Sequence, residues 1–395
     1  MDVTGKVGAR PGAGRGRRRS AAVAMTLAVG LVAGGGGVAF AAAAGPSAGA
    51  GRGTMLGAGQ AGPRSAVPWR RVGPGWVLAE VWHGRYAEAG KPKAAPVSLD
   101  LVDPAGGRYQ LYRAAATRNP PLLVDWSGDK TRALLQTAAF GGLEEITLAS
   151  GRVRHLKLAA QASVIGYSRP GGLNLLGWRQ TGSRFRLARY SLTGSLAKVL
   201  VTGSGASSGV YSDNGTTLAV GAGRGLQLVS NAGGVIRTLP ASGTACIPSR
   251  WWNSDTILAS CAGASARPRL WLVPASGGKS RVLTPQRGSR SPDFGDIGAW
   301  RLPSGLYLQA IGPCGTLQIF RQKADGSITL VTIPHTSGNN RLLTAYGSQL
   351  LVEAPTECSP TATLLWYNPA TRHVRTLFQS GVLGAVPYGR PALVR

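Results

Sequence analysis

The sequence predicts an all-β chain, a seven-bladed β-propeller of four-stranded antiparallel blades preceded by a signal segment and a flexible linker. Three observations predict it. Beyond Val67 the apolar residues fall in short, strand-length runs such as Trp76 to Val81, Val97 to Val102 and Leu364 to Tyr367, with no amphipathic helix between them. A phrase made of an aromatic or apolar strand end, a polar turn and an apolar strand returns at a near-constant interval. Glycine (58) and proline (25) are abundant without the triplet period of collagen, so they punctuate turns or fill low-complexity segments.

From the N-terminus, Arg15, Arg17, Arg18 and Arg19 precede an uncharged stretch that holds the apolar run Ala21 to Ala33 and the small-residue run Ala39 to Ala44. Basic, then apolar, then small is the order of an export signal, and Ala42-Ala43-Ala44 offers a cleavage site. Ser20 to Ala44 is also long enough, at 25 residues, for a signal anchor across a bilayer core of about 30 Å, although Gly34 to Gly37 interrupt it. Residues 1–44 are thus a signal peptide or signal anchor, and either places the globular part outside the cytoplasm, secreted or at the cell surface. Residues 45–66, rich in Gly, Ala, Ser and Pro, carry too little apolar surface to fold and read as a disordered tether. The G-x-G-x-x-G spacing of Gly57, Gly59 and Gly62 lacks the strand and helix that dinucleotide binding needs, so no cofactor is expected.

Residues 67–395 form the predicted propeller. Its recurring phrase reads DWSGDKTRALL from Asp125, YSRPGGLNLL from Tyr167, YSDNGTTLAV from Tyr211, WWNSDTILAS from Trp251, WRLPSGLYLQA from Trp300 and AYGSQLLVEA from Ala345. The turn positions Gly128, Gly171, Gly215, Asp255, Ser304 and Gly347 are 43, 44, 40, 49 and 43 residues apart, a blade-sized period. Hairpins complete the units, as in RYSLTGSLAKVL from Arg189 and LWLVPASGGKSRVLT from Leu270. A less regular first blade draws on Val67 to Val72, Trp76 to Trp82, Val97 to Val102 and Tyr109 to Arg113. The tail SGVLGAVPYGR from Ser380 echoes SAVPWRR from Ser65, so each end offers a strand that would remove the open sheet edge.

The polar turn followed by LWLVPASGG…LT resembles the repeats of TolB-type, WD-repeat-like β-propellers, from about Val67 to Arg395. The resemblance implies the fold. It does not reach the α/β domain that precedes the propeller in TolB, or the hydrolase domain of prolyl-oligopeptidase-like enzymes, so those functions are not carried over.

Four cysteines in an exported chain predict disulfides. Loops before a blade's first strand and after its second emerge on one face, which predicts Cys246 with Cys261; Cys314 and Cys358 lie one blade period apart and form the second predicted pair. No metal site is expected, because there is no C-x-x-C pair and His83, His155, His335 and His373 sit at no ligand spacing. Gly205 to Gly209 spells G-x-S-x-G in a loop rather than at a strand-to-helix elbow. Glu144 with Glu145, and Glu353 with Glu357, are the nearest carboxylate pairs, and alternation along a strand sends the first two to opposite faces. No catalytic residue is therefore assigned.

Trp126, Trp251 and Trp300 recur at one blade position and are expected between blades. Alternation turns Trp252 away from Trp251, which singles out Arg250 and Trp252 as a candidate binding face, with core packing the competing reading. The net charge of +28 comes mostly from Arg scattered singly along the chain. With no nucleic-acid-binding signature, it points to an anionic cell surface and not to nucleic acid. The expected function is a monomeric, non-catalytic scaffold that binds a protein, a peptide or an anionic envelope polymer. The alternatives are a propeller enzyme of the polysaccharide lyase or glycosidase type and the ectodomain of a membrane-anchored sensor.

Overall fold

The computed structural model describes residues 55–84, 93–137, 142–157, 162–172, 174–203, 208–262, 267–284, 295–355 and 361–389. The chain divides into residues 1–50 and 51–395. The first unit, and with it the expected signal segment, lies outside the described residues. Among the described residues no helix is long and apolar enough to cross a membrane.

Antiparallel sheets carry almost all the regular structure. Three have four strands each, in simple up-and-down order: one from Leu122–Trp126 to Arg152–Lys157, one from Ala162–Tyr167 to Leu196–Gly203, and one from Gly295–Leu302 to Ile328–Leu330. Two larger sheets have seven and eight strands. Each is joined by one long strand that serves two neighbours in turn. Val235–Trp251 pairs through Val235–Leu239 with Arg224–Ser230, then shifts register and pairs through Ile247–Trp251 with Thr256–Ala262. His373–Pro387 pairs first with Ala362–Asn368, then through Val382–Pro387 with Val77–Trp82. Cut at these shifts, the large sheets also fall into four-stranded antiparallel sets, with the short strand Ala61–Pro63 added at one outer edge.

Successive sheets pack face to face, as strands apolar on both faces require. Leu134 and Tyr167 share a buried cluster, as do Ile165 and Leu218, Leu239 and Ile257, and Leu258 and Leu308. Tyr307 and Leu350 continue the series, then Leu351 and Val77, and finally Leu78 and Trp126, which returns to the first sheet. The core is therefore a ring of inter-sheet layers, the arrangement of a β-propeller. Buried polar groups tie the sheets together. The Asp125 carboxylate accepts from the Tyr167 backbone N–H at 2.8 Å and pairs with Arg169 at 3.0 Å. Gly215 turns at φ +69° where a Cβ would lie 2.8 Å from the Arg169 Cβ, so the tight turn between these sheets needs glycine.

Two expectations are corrected. Val67 to Val72 is not a strand: Arg64–Ala66 and Trp69–Arg71 are 3-10 turns, and Pro68 has no N–H for a ladder. The strand beside Val77–Trp82 comes from the C-terminal end, where Val382–Pro387 supplies the free donors. The tether drawn over residues 45–66 also ends early. From Met55 on the chain is built into the domain: the Leu56 N–H donates to the Tyr109 hydroxyl at 3.0 Å, Met55 and Leu56 pack on the core, and Ala61–Pro63 runs parallel to Arg108–Gln110. Its few apolar side chains suffice because they cover an existing sheet and need no core of their own.

Candidate functional site

The cavity-side strand of each four-stranded set contributes to one cavity of about 650 Å³. Leu123, Val164, Val210, Ser249, Leu343 and Ala385 mark six of these strands on its wall, and Trp300 marks a further one. These strands begin their sheets, so their residues converge while the outer strands diverge. The volume lies within the range of small-molecule sites, about 300–1,000 Å³.

Most of the wall is apolar or aromatic. Its charged groups, among the described lining residues, are Asp213, Arg250 and Arg341. Asp213 sits exposed in the turn that leaves its strand. Arg341 faces Glu353 across the ladder and pairs with it at 3.4 Å. Arg250 is different: it is packed by rings and not by carboxylates. Its guanidinium carbon lies 4.9 Å from the Trp252 ring centroid and 5.5 Å from that of Trp300. Its Nε is buried without a hydrogen-bond partner among the described residues. Burial pushes the Arg250 pKa down to about 10, which still leaves it charged at neutral pH. The two rings supply cation–π attraction but accept no N–H bond in the plane of the guanidinium.

The structure brings Arg250 and Trp252 together, with Trp252 also packed against the apolar cluster that includes Leu258 and Phe320. Arg250 lines the cavity; Trp252 backs it. Trp126 and Trp300 are buried between sheets, and Trp251 packs in the adjoining layer while its indole N–H donates to the Val210 carbonyl at 3.2 Å. Sequence reasoning missed Asp213, Trp178 and Arg341 on the wall. The signal that finds Arg341 is its place at the start of the first strand of a unit, in the phrase RLLTAY.

Cys246 and Cys261 form a disulfide at the cavity wall's edge, with Ile247 next in sequence lining the cavity. Cys358 lies outside the described residues, as do Glu357 and Gly205 to Ser207 of the G-x-S-x-G string. Glu145 is held by Arg132, Arg154 and the Tyr167 hydroxyl, and Glu144 by His155. Among the described residues no group of three His, Cys, Asp or Glu is placed to hold a metal ion.

Away from the cavity, His83 Nε2 lies 2.8 Å from the Ser98 hydroxyl, which donates to Asp100 at 3.3 Å. Burial pushes the Asp100 carboxyl up to about 6 despite Ser98, Arg108 and Arg113. Burial and Arg113 hold His83 below its ordinary value.

Sheets of four antiparallel strands set around one cavity define the class: the chain is a β-propeller, and the cavity is its candidate site. No family model and no curated protein matches it. Among solved structures it is similar to a puromycin-hydrolyzing peptidase of Mycobacterium tuberculosis, at 14% identity over 82% of this chain and 56% of that one, with a TM-score of 0.50. TolB of Acinetobacter baumannii is similar at 12% identity over 84% and 88%, TM-score 0.42. Virginiamycin B lyase of Staphylococcus aureus is similar at 13% identity over 70% and 95%, TM-score 0.45. At such identities likeness concerns the fold alone.

Proposed function

We propose that this chain is an exported, seven-bladed propeller that binds a protein, peptide or envelope polymer without chemically changing it. The ring of inter-sheet layers and the register shifts in Val235–Trp251 and His373–Pro387 support the blade number. The observation that carries the function is the composition of the cavity wall. Among its described residues it has a single carboxylate, on the exposed Asp213, and no His, Cys or Lys; of its two tyrosines, Tyr211 has its hydroxyl engaged by Ser168 and Asn231 and its pKa pushed up by burial. General acid–base chemistry needs a second titratable group in reach of the first, and nucleophilic chemistry needs a base beside the nucleophile. Apolar walls with a few polar groups suit binding. The disulfide Cys246–Cys261 supports an oxidising compartment.

Calorimetric titration of the purified full-length chain with fractionated envelope polymers and tiled envelope-protein peptides tests this reading. Saturable binding with the added component recovered intact is the expected result. Cleavage of a polysaccharide or peptide, lost in Asp213→Asn, replaces the binding reading with an enzymatic one.

A further inference from the structure

We infer that the cavity takes a small ligand with a single carboxylate on an apolar or aromatic body, and that Arg250 holds the carboxylate. This rests on the binding function proposed above and names the ligand class for the same cavity.

Arg250 carries an unmet requirement. Among the described residues Arg250 meets no carboxylate, carbonyl or hydroxyl; it lies against the indole rings of Trp252 and Trp300, and its buried Nε has no partner. A guanidinium presents five N–H donors in one plane. Indole rings offer no acceptor in that plane, so the contacts with Trp252 and Trp300 leave the donors unused while their packing restricts the side chain. An ordinary structural arginine in this protein looks different. Arg169 also has a buried nitrogen without a partner, at Nη1, yet its Nη2 meets Asp125 and the Trp126 carbonyl at 3.0 and 2.9 Å.

Charge balance selects the anion. Arg341 is paired with Glu353 and Asp213 is exposed, so among the described lining residues there is no second unpaired cation beside Arg250. One guanidinium matches one carboxylate, in the two-pronged geometry that the pair prefers. A phosphate dianion would leave a charge uncompensated in a partly dry cavity.

The rest of the wall selects the body. Tyr211 and Trp251 end their strands and Tyr388 follows Pro387, which gathers aromatic rings at the end of the cavity where Arg250 lies. A carboxylate at Arg250 would place an attached apolar or aromatic group against Trp251, Trp300 and Tyr388.

Titration of the full-length chain with N-acetylphenylalanine, its uncharged amide and inorganic phosphate tests the inference. The acid should bind at least tenfold more tightly than the amide, as expected for a charge-assisted contact, and phosphate should not compete. Arg250→Gln, with an unchanged circular dichroism spectrum, should bring the acid down to the level of the amide, and Arg250→Lys should retain part of the difference. An acetylated tripeptide ending in Phe separates the sources: binding equal to that of the acid assigns the site to peptide C-termini, and exclusion assigns it to free small acids. Equal affinity for acid and amide in the unaltered chain overturns the inference, as do preference for phosphate and undetectable binding of the acid. If envelope binding persists where the acid fails, only this inference falls. If the acid binds through Arg250 and is converted to a product, the inference stands and the non-catalytic reading falls.

Discussion

Val81 and Val382 face each other in an antiparallel ladder, so the start and the end of the described domain are neighbouring strands of one sheet. The pairing covers the backbone edge that Val77–Trp82 would otherwise expose. A chain truncated before Val382 should lose the native fold and aggregate. Sedimentation and circular dichroism check this; a soluble truncated chain with native strand content would refute the assigned closure.

Arg250→Met should raise stability, against the usual direction of a substitution. Burial holds the folded-state pKa well below the ordinary guanidinium range, so at neutral pH the charge is held at a cost of about 3 kcal/mol, from roughly 1.4 kcal/mol per pKa unit. Cation–π contact returns about 1–2 kcal/mol, and a net gain near 1 kcal/mol is expected on removing the charge. A urea midpoint higher than that of the unaltered chain is the predicted reading.

Asp100→Asn should change how stability varies with pH. The Asp100 carboxyl titrates near 6 in the folded chain against an ordinary 3.8, so between those values the folded state keeps a proton that the unfolded chain releases. Its contribution is present below pH 4 and is lost as pH rises to 6, by an amount of about 3 kcal/mol. Relative to the unaltered chain, the variant should therefore gain stability between pH 4 and pH 7. Denaturation at both pH values measures the difference; an equal effect at the two would remove Asp100 as its source.

Removing the Cys246–Cys261 bridge by paired Ala substitution should cost about 3 kcal/mol, the loop-closure value for a separation of 15 residues. Because Ile247 follows directly, ligand binding in the cavity should weaken along with stability. Guanidinium titration gives the first quantity and calorimetry the second.

The repeat was legible because every blade must turn at the same place: Gly128, Gly171, Gly215, Asp255, Ser304 and Gly347 all fall between a cavity-side strand and its neighbour. What escaped was continuity. Thr244 pairs with Arg224 on one side and Ala262 on the other, and no local signal distinguishes one strand shared by two sheets from two strands. The two similar end segments were separable only by register, since Pro68 and Pro387 both close short apolar runs. Alternation singled out Trp252 as turned away from Trp251, yet a register shift between Pro248 and Arg250 interrupts the ladder, and Arg250 and Trp251 both line the cavity; Arg341 opens its strand with no local signal of its cross-strand partner Glu353. Met55 and Leu56 were lost in low-complexity surroundings because their partner surface, around Tyr109, is remote in sequence.

The strand Val382–Pro387 also sets a clock. Everything it joins is synthesised before it, so the ring cannot be sealed until that segment is free to dock. Until Val382–Pro387 docks, the edge of Val77–Trp82 stays unpaired, so the seal of the ring is a contact of very long range in sequence and comes only after the loop-closure entropy of the intervening chain has been met.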